Sequence, residues 1–416
     1  MDEALKRSYH AKKTVTPFFN HSSHSKVAMP SPLKNLKPVT LQDALLHDVV
    51  VLPDKYGFSG AWCAGKPVAL AHMCRRGRQA RKQAPFEKPV RIVEEPCIWG
   101  GLFQLHYGHF LIETMQSLYA FQRHPERRIV WRNGSVHDIA PWQHTLFHLT
   151  GCDRNGYEFV NEPTLFRDML FPVPGLMCDV WLTQEQADAF AVHESVVQKG
   201  KRIWLSRSAV NSDNIIFTNE RELEDMLESR GWSIVHPEHH SLEEQIDMLG
   251  SAEVVMGCIG SAFHTMLLLK NPGTRYIVIN RMNGKSEAHN LQFDLIARAR
   301  TDNYYVWEPP KHDAPPLRRR KIHHAWPWYA FDLEAIRHEL DTRDDFCGNM
   351  EGCPGMTPIS RRPAVNAEGS PILFNMNVSA ADRLYYFYRY LRRLCRPLKD
   401  GWTDLQQNLW RHFHRQ

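Results

Sequence analysis

The chain has 416 residues, 43% of them apolar and 23% charged, and a formal net charge of +5. That length accommodates two domains and the apolar share supplies a real core, while the charge is too mild for a nucleic-acid partner. Nine scattered cysteines with no Cys-x-x-Cys pair favour a reducing compartment over a disulfide framework. The N-terminus lacks the apolar core of a signal peptide, and no run approaches the ~18 apolar residues of a membrane span. The expected location is therefore the cytoplasm.

Residues 1–40 are polar, rich in His, Ser, Lys and Pro, and aperiodic, as in a flexible N-terminal arm. An α/β lobe is expected over 41–183. Within it 49–52 reads as a strand, the basic run 75–82 as a loop or exposed helix face, and 98–105 as an extended apolar segment. A helical pattern follows His106, with Phe110, Met115, Leu118 and Phe121 on one buried side. Strands are expected at 128–131, 157–160 and 169–171, and a helix at 142–150.

A helix over 184–199 leads into a second lobe, 184–310. Strands at 202–205, 232–235, 253–256 and 276–279 alternate there with helices at 220–230, 242–249 and 261–269. Thr218 or Asn219 caps the first of these helices, and Ser241 with Glu244 forms a capping box on the second. Such alternation implies a parallel sheet covered on both faces. Residues 311–378 read as a proline-rich and basic linker, with a helix at 333–340 and an irregular stretch from 345. In the final segment, 379–416, Leu384, Phe387, Tyr388, Leu391, Leu394 and Leu398 recur at helical spacing among Arg383, Arg389, Arg392, Arg393 and Arg396. A cationic amphipathic helix of this kind, chiefly 380–399, suits an anionic membrane surface.

The stretch 254–269 organises the candidate site. A β-branched run ends at Gly257, Gly260 closes a turn, and an apolar helix begins at Ser261 and Ala262. A strand, a glycine turn and a helix start let an anion approach backbone amides closely. Ligands of parallel sheets lie outside the carboxyl ends of the strands. There this lobe presents Ser206 and Arg207, then His236, Pro237 and Glu238, then Gly257 to Ser261. A cation, a carboxylate and a glycine-lined helix start on one rim suit a sugar nucleotide. Arg207 can fork onto a diphosphate, Glu238 can accept ribose or sugar hydroxyls, and His264 lies one turn into the helix near the same rim. In the structural alternative Arg207 pairs with Glu220 or Glu238, His264 is a hydrogen-bonded interface residue, and Asn219 and Glu220 only cap their helix.

In the first lobe His109 and Glu113 stand four residues apart, on one helix face, with His106 nearby. A histidine and a carboxylate so placed form a base and its orienter, in either order, or a pair that merely ties helix to strand. His236, His239 and His240 lack partners for a metal, and no Asp-x-Asp motif occurs. No metal and no cofactor are expected.

In order and spacing, Gly108, His109, Phe110 and Glu113, then Leu205, Ser206 and Arg207, Asn219 and Glu220 with Leu223, and Gly231 with Trp232 form one set. It continues with His236, Pro237 and Glu238, Ser241 and Leu242 with Gln245, and 252–257 leading to Gly260, Ser261 and Ala262. This set, over about residues 90–310, resembles glycosyltransferase family 61, of the bacterial capsular polysaccharide type. Cys258 and Ile259 stand where many members carry a histidine, and 212–214 stands where the family often has a second arginine.

The resemblance implies a GT-B-like α/β fold, two Rossmann-like lobes facing a cleft, with acceptor on the N-terminal side and donor on the C-terminal side. It implies inverting transfer from a nucleotide sugar to a glycan or lipid-linked acceptor, without metal, on the inner face of the cell membrane. Glu113 or His109 would be the base. Arg207, Glu238, Gly257, Gly260, Ser261, Ala262 and His264 would hold the donor, with His106, Asn219, Glu220 and Gln245 in support. The alternative is an inactive nucleotide-sugar-binding scaffold. Another nucleotide-dependent α/β enzyme ranks lower, since no Gly-x-Gly-x-x-Gly follows a strand.

Overall fold

Among the described residues, apolar strands build two large sheets, each with two buried faces, beside several smaller ones. The computed structural model describes residues 27–28, 40–41, 43–53, 60–74, 78–79, 88–132, 139–178, 181–210, 217–270, 272–279, 287–314, 329–350, 353, 355–359, 364–365 and 371–374. Most of the expected arm over 1–40, most of the basic run 75–82, the cations at 318–321 and the amphipathic helix over 379–416 lie outside the described residues.

The first sheet contains β1 (Ala44–Leu52), β2 (Gly60–Cys63), β3 (Lys66–Pro67), β4 (Arg91–Val93), β5 (Cys97–Leu102), β6 (Arg128–Arg132), β7 (Tyr157–Phe159) and β8 (Thr164–Phe171). Its order is β7-β6-β5-β8-β1-β2-β3, with β4 also pairing β8. The pairs among β4 to β8 are parallel, and β1 to β3 extend the sheet antiparallel. The second sheet contains β9 (Gln198–Leu205), β10 (Ser233–Val235), β11 (Ala252–Cys258), β12 (Arg275–Ile279), β13 (Tyr304–Trp307) and β14 (Met356–Ile359). Its order is β10-β9-β11-β12-β13-β14, with all neighbours parallel except β14. The chain winds outward from β9 to β10, then crosses back to β11 and winds outward the other way. The crevice for a ligand therefore opens between the carboxyl ends of β9 and β11.

Side-chain alternation of period two divides each sheet's residues between cores. Ile98, Ile129 and Trp131 of the first sheet share one continuous core with Ile203, Leu205, Val255, Tyr276 and Val278 of the second. Their strand neighbours Cys97, Trp99 and Val130 serve a second core, and Trp204, Val254, Met256 and Ile277 a third. Among the described residues, seven α-helices longer than a single turn follow in chain order: α1 (Leu118–Arg123), α2 (Pro141–Thr150), α3 (Gln184–Phe190), α4 (Glu220–Ser229), α5 (Leu242–Ser251), α6 (Glu287–Arg300) and α7 (Leu333–Thr342). The shared core is thickened where α2 meets α5 and α3 meets α6. The result is a mixed α/β protein.

Four expectations needed correction. The joining helix stops at Phe190 rather than 199, because β-branched Val196 and Val197 and a left-handed Gly200 (φ 83°) favour an extended chain. The helix after His106 is not continuous. A single α-turn, Tyr107–His109, widens into a π-turn over Phe110–Thr114 in which Met115 N donates to Phe110 O at 3.0 Å. Phe110, Met115, Leu118 and Phe121 are nevertheless all buried, as their spacing indicated. The segment Ser261–Leu268 is a 3-10 helix, and the stretch from 345 holds β14.

Candidate active site

One wall of the site grows from the end of β5. Gln104 N donates to Thr114 Oγ1 at 2.8 Å, and the Thr114 hydroxyl donates to Leu102 O at 3.2 Å, so the π-turn is tied to the strand. The widened turn carries Glu113 beside His109. Glu113 Oε1 lies 2.7 Å from His109 Nδ1, and its Oε2 accepts from Gln104 Nε2 at 3.4 Å. Both carboxylate oxygens are thus engaged, and the histidine keeps Nε2 for other chemistry. The His109 side chain is 38% exposed against 18% for Glu113. The His106 ring meets the His109 ring edge-on at 5.4 Å. Burial, then the neighbouring charges of His109 and Arg207, lower the His106 pKa.

The opposite wall grows from the end of β9. Ser206 N donates to Val235 O at 2.8 Å, and Arg207 N donates to Glu220 Oε1 at 2.9 Å. The Ser206 and Ser208 hydroxyls donate to the two oxygens of Glu224 at 2.5 and 2.8 Å. Burial pushes the Glu220 carboxyl up to about 7, opposed by the Arg207 amide and reinforced by the charge of Glu224. The Arg207 guanidinium lies against Gly260, where a Cβ would stand 2.6 Å from Nη1. Gly260 has an extended backbone (φ −172°), so glycine is needed there for space and not for conformation.

The two walls touch. Tyr107 Oη lies 2.8 Å from Thr265 Oγ1. A Cβ on Gly108 would fall 2.9 Å from the His264 ring and 3.0 Å from Ser261 Cβ, so only glycine lets the 107–109 turn seat on the 3-10 helix. This seam gathers His106, His109, Arg207, Gly260 and Ser261 at the carboxyl ends of β9 and β11.

Other expected site residues take different places. His264 is only 4% exposed. Its Nδ1–H donates to Ser261 O at 3.1 Å and its ring packs 4.5 Å from Phe293, while burial lowers its pKa to about 4. The ring is thus buried and neutral, enclosed between the two walls rather than exposed on the rim. Gly257 does not bound the turn, because β11 runs on through Cys258. A Cβ there would stand 2.8 Å from Leu205 O, so Gly257 serves close strand pairing. Asn219 occupies the cap position of α4 without a side-chain cap; its amide instead exchanges two hydrogen bonds with the Phe331 backbone at 3.0 and 2.8 Å. Glu220 meets the amide of Arg207. Ala262 is half-buried in the first turn of the 3-10 helix.

Glu238 is exposed on the turn Pro237–His239, and among the described residues no hydrogen bond or ion pair joins it to Arg207. Gln245 Nε2 donates to Pro237 O and His240 O at 2.8 and 3.1 Å and so shapes that turn. The residues that sequence reasoning missed are Gln104, Thr114, Tyr107, Thr265, Ser208 and Glu224. Glu224 did leave a signal, since Glu220 and Glu224 share the buried face of α4 with Leu223 and Leu227. Among the described residues, no group of three or more His, Cys, Asp or Glu is placed to hold a metal ion. None of their helices is long and apolar enough to cross a membrane.

Together the fold and the seam define an α/β protein in which the Arg207 loop and the Gly260 turn meet at the topological switch point. Residues 107–277 match the family model described as Glycosyltransferase 61, and that span, from Tyr107 in the first wall to Ile277 in β12, is similar to that family. No curated protein matches the chain.

Proposed function

We propose that the protein is an inverting glycosyltransferase that moves a sugar from a nucleoside-diphosphate donor to a hydroxyl of a glycan or lipid-linked acceptor. The observation that carries this reading is the seating of Arg207 against Gly260, across the seam from His109 and Glu113, inside the span similar to Glycosyltransferase 61. In this reading the two sheets belong to a GT-B-like pair of lobes, 41–183 for acceptor and 184–310 for donor.

His109 is the better base. Glu113 has both oxygens engaged and therefore orients the ring, while Nε2 takes the proton of the acceptor hydroxyl. The acceptor oxygen bonds to the anomeric carbon as the bond from that carbon to the diphosphate oxygen breaks on the opposite face. The electron pair of that bond leaves with the diphosphate, where Arg207 meets the growing charge. Arginine and backbone amides then do what a metal does elsewhere, so turnover is expected to survive a chelator. A role in capsular, extracellular or lipopolysaccharide synthesis on the inner face of the membrane follows from the same family likeness and the cationic tail.

The test is transfer and donor hydrolysis by the full-length protein with UDP- and GDP-sugars, followed by mass spectrometry. His109→Gln is expected to keep nucleotide affinity and lose turnover by ~100-fold or more. Glu113→Gln should lose somewhat less, and Arg207→Ala should lose nucleotide affinity by ~10-fold or more. Binding without transfer or donor hydrolysis would identify a scaffold. Turnover within a few-fold of wild type in His109→Gln and Arg207→Ala would remove the assignment.

A further inference from the structure

Arg207 is held from beneath by two buried carboxylates that the transfer chemistry does not use. Glu220 and Glu224 stand one turn apart on α4 and are 5% and 8% exposed. Glu224 accepts both flanking hydroxyls, those of Ser206 and Ser208, while Glu220 accepts the amide of Arg207 itself. Ser206 Oγ also accepts from Ser208 N at 3.1 Å, which closes a ring of bonds around the loop. Three consecutive residues are thus anchored to a single helix face. The guanidinium, which carries the positive charge, is left to lie against Gly260.

Two carboxylates this close in a buried site do not both ionise freely. Their bonding distinguishes them. Glu224 is the acceptor of two hydroxyl donors, whereas Glu220 accepts one amide in a buried setting, which favours its neutral form. We infer that Glu220 and Glu224 are positioning residues that lock the Arg207 loop for diphosphate binding, with Glu220 holding the proton in the binding-competent state. This inference rests on the proposed reading of Arg207 as a diphosphate ligand.

The charged groups facing Glu220 are Glu224 on its own helix and Arg207 on the loop. When Glu220 loses its proton, a second negative charge lies under the loop and partly cancels the field of Arg207. A bound diphosphate opposes that ionisation further, so by linkage wild-type affinity falls as pH rises above neutrality. Glutamine at 220 retains the oxygen that accepts from Arg207 N but cannot ionise.

The experiment is calorimetric titration of the full-length protein with UDP and GDP between pH 6 and 9, comparing wild type with Glu220→Gln, Glu224→Gln and Ser208→Ala. The ratio of wild-type to Glu220→Gln affinity cancels the ligand's own ionisation. That ratio is expected to fall as pH rises past 7, with Glu220→Gln close to wild type at pH 6. Glu224→Gln and Ser208→Ala are each expected to weaken binding by about 3- to 30-fold. Ser208 lies at the loop surface and its truncation leaves the helix packing intact, so it serves if a Glu224 variant fails to fold. A constant wild-type to Glu220→Gln ratio across pH, or Ser208→Ala at wild-type affinity, overturns the lock while leaving Arg207→Ala as the separate test of the site. Failure of wild type to bind either nucleotide ends both.

Discussion

The two walls of the site are built by opposite means. The His109 wall is a largely buried widened turn that leaves His109 partly exposed, fastened by Gln104, Thr114 and Glu113, all from its own stretch of chain. The Arg207 wall is a loop clamped by two buried carboxylates and fitted into space that a glycine leaves. The difference matches the work proposed for each. A general base needs one ring nitrogen reachable and the other fixed, which local hydrogen bonds achieve. A group that meets developing charge gains most when its position costs no reorganisation, which needs a rigid frame.

The contrast can be broken at four points, from the largest expected effect to the smallest. Gly108→Ala drives a Cβ into the buried His264 ring, so unfolding in urea should show a loss of ~2–3 kcal/mol. Turnover should fall by ~100-fold in the same variant, since a shift of about 1 Å at the base is enough. Unchanged stability there would show that the seam is looser than its contacts indicate.

Glu220→Gln tests the rigid wall through pH. The carboxyl is raised from 4.5 to about 7 in the folded protein, so the fold binds more protons than the unfolded chain between those values. The stability this proton contributes is complete below pH 4.5 and is lost as pH rises through about 7. The glutamine variant has no such loss. Equal stabilities near pH 4.5 should therefore diverge to an advantage of up to about 3 kcal/mol for Glu220→Gln at pH 8, measured by chemical denaturation. Parallel stability profiles would refute the buried-proton assignment.

Gly260→Ala keeps an allowed backbone but displaces the guanidinium, and should weaken UDP or GDP binding by about 10-fold with little change in melting temperature. Tyr107→Phe removes the hydroxyl that meets Thr265 and should cost ~1 kcal/mol, with nucleotide affinity retained.

Much of this arrangement is legible in the residue order. The short apolar runs within 202–205, 253–256 and 276–279 locate strands of the second sheet, and Ser241 with Glu244 locates the start of α5, where both capping bonds form. His109 and Glu113 meet as their spacing indicates. What failed to show was set by distant contacts. His264 reads as a rim residue because helical position alone ignores Phe293 and Gly108, which enclose it. Gly257 reads as a turn residue because nothing local reveals Leu205 across the strand pair. The π-turn depends on a five-residue hydrogen bond that no periodicity announces.

The contact of Gly108 with His264 and of Tyr107 with Thr265 also has a mechanical meaning. A rotation displaces atoms in proportion to their distance from its axis, and these contacts fasten the 107–109 turn to the Ser261–Leu268 segment beside the site. If the sheets rock against each other, this seam is the pivot, and His109 and Arg207 both stand next to it. Atoms far from the seam can then move while His109 and Arg207 hold nearly constant separation.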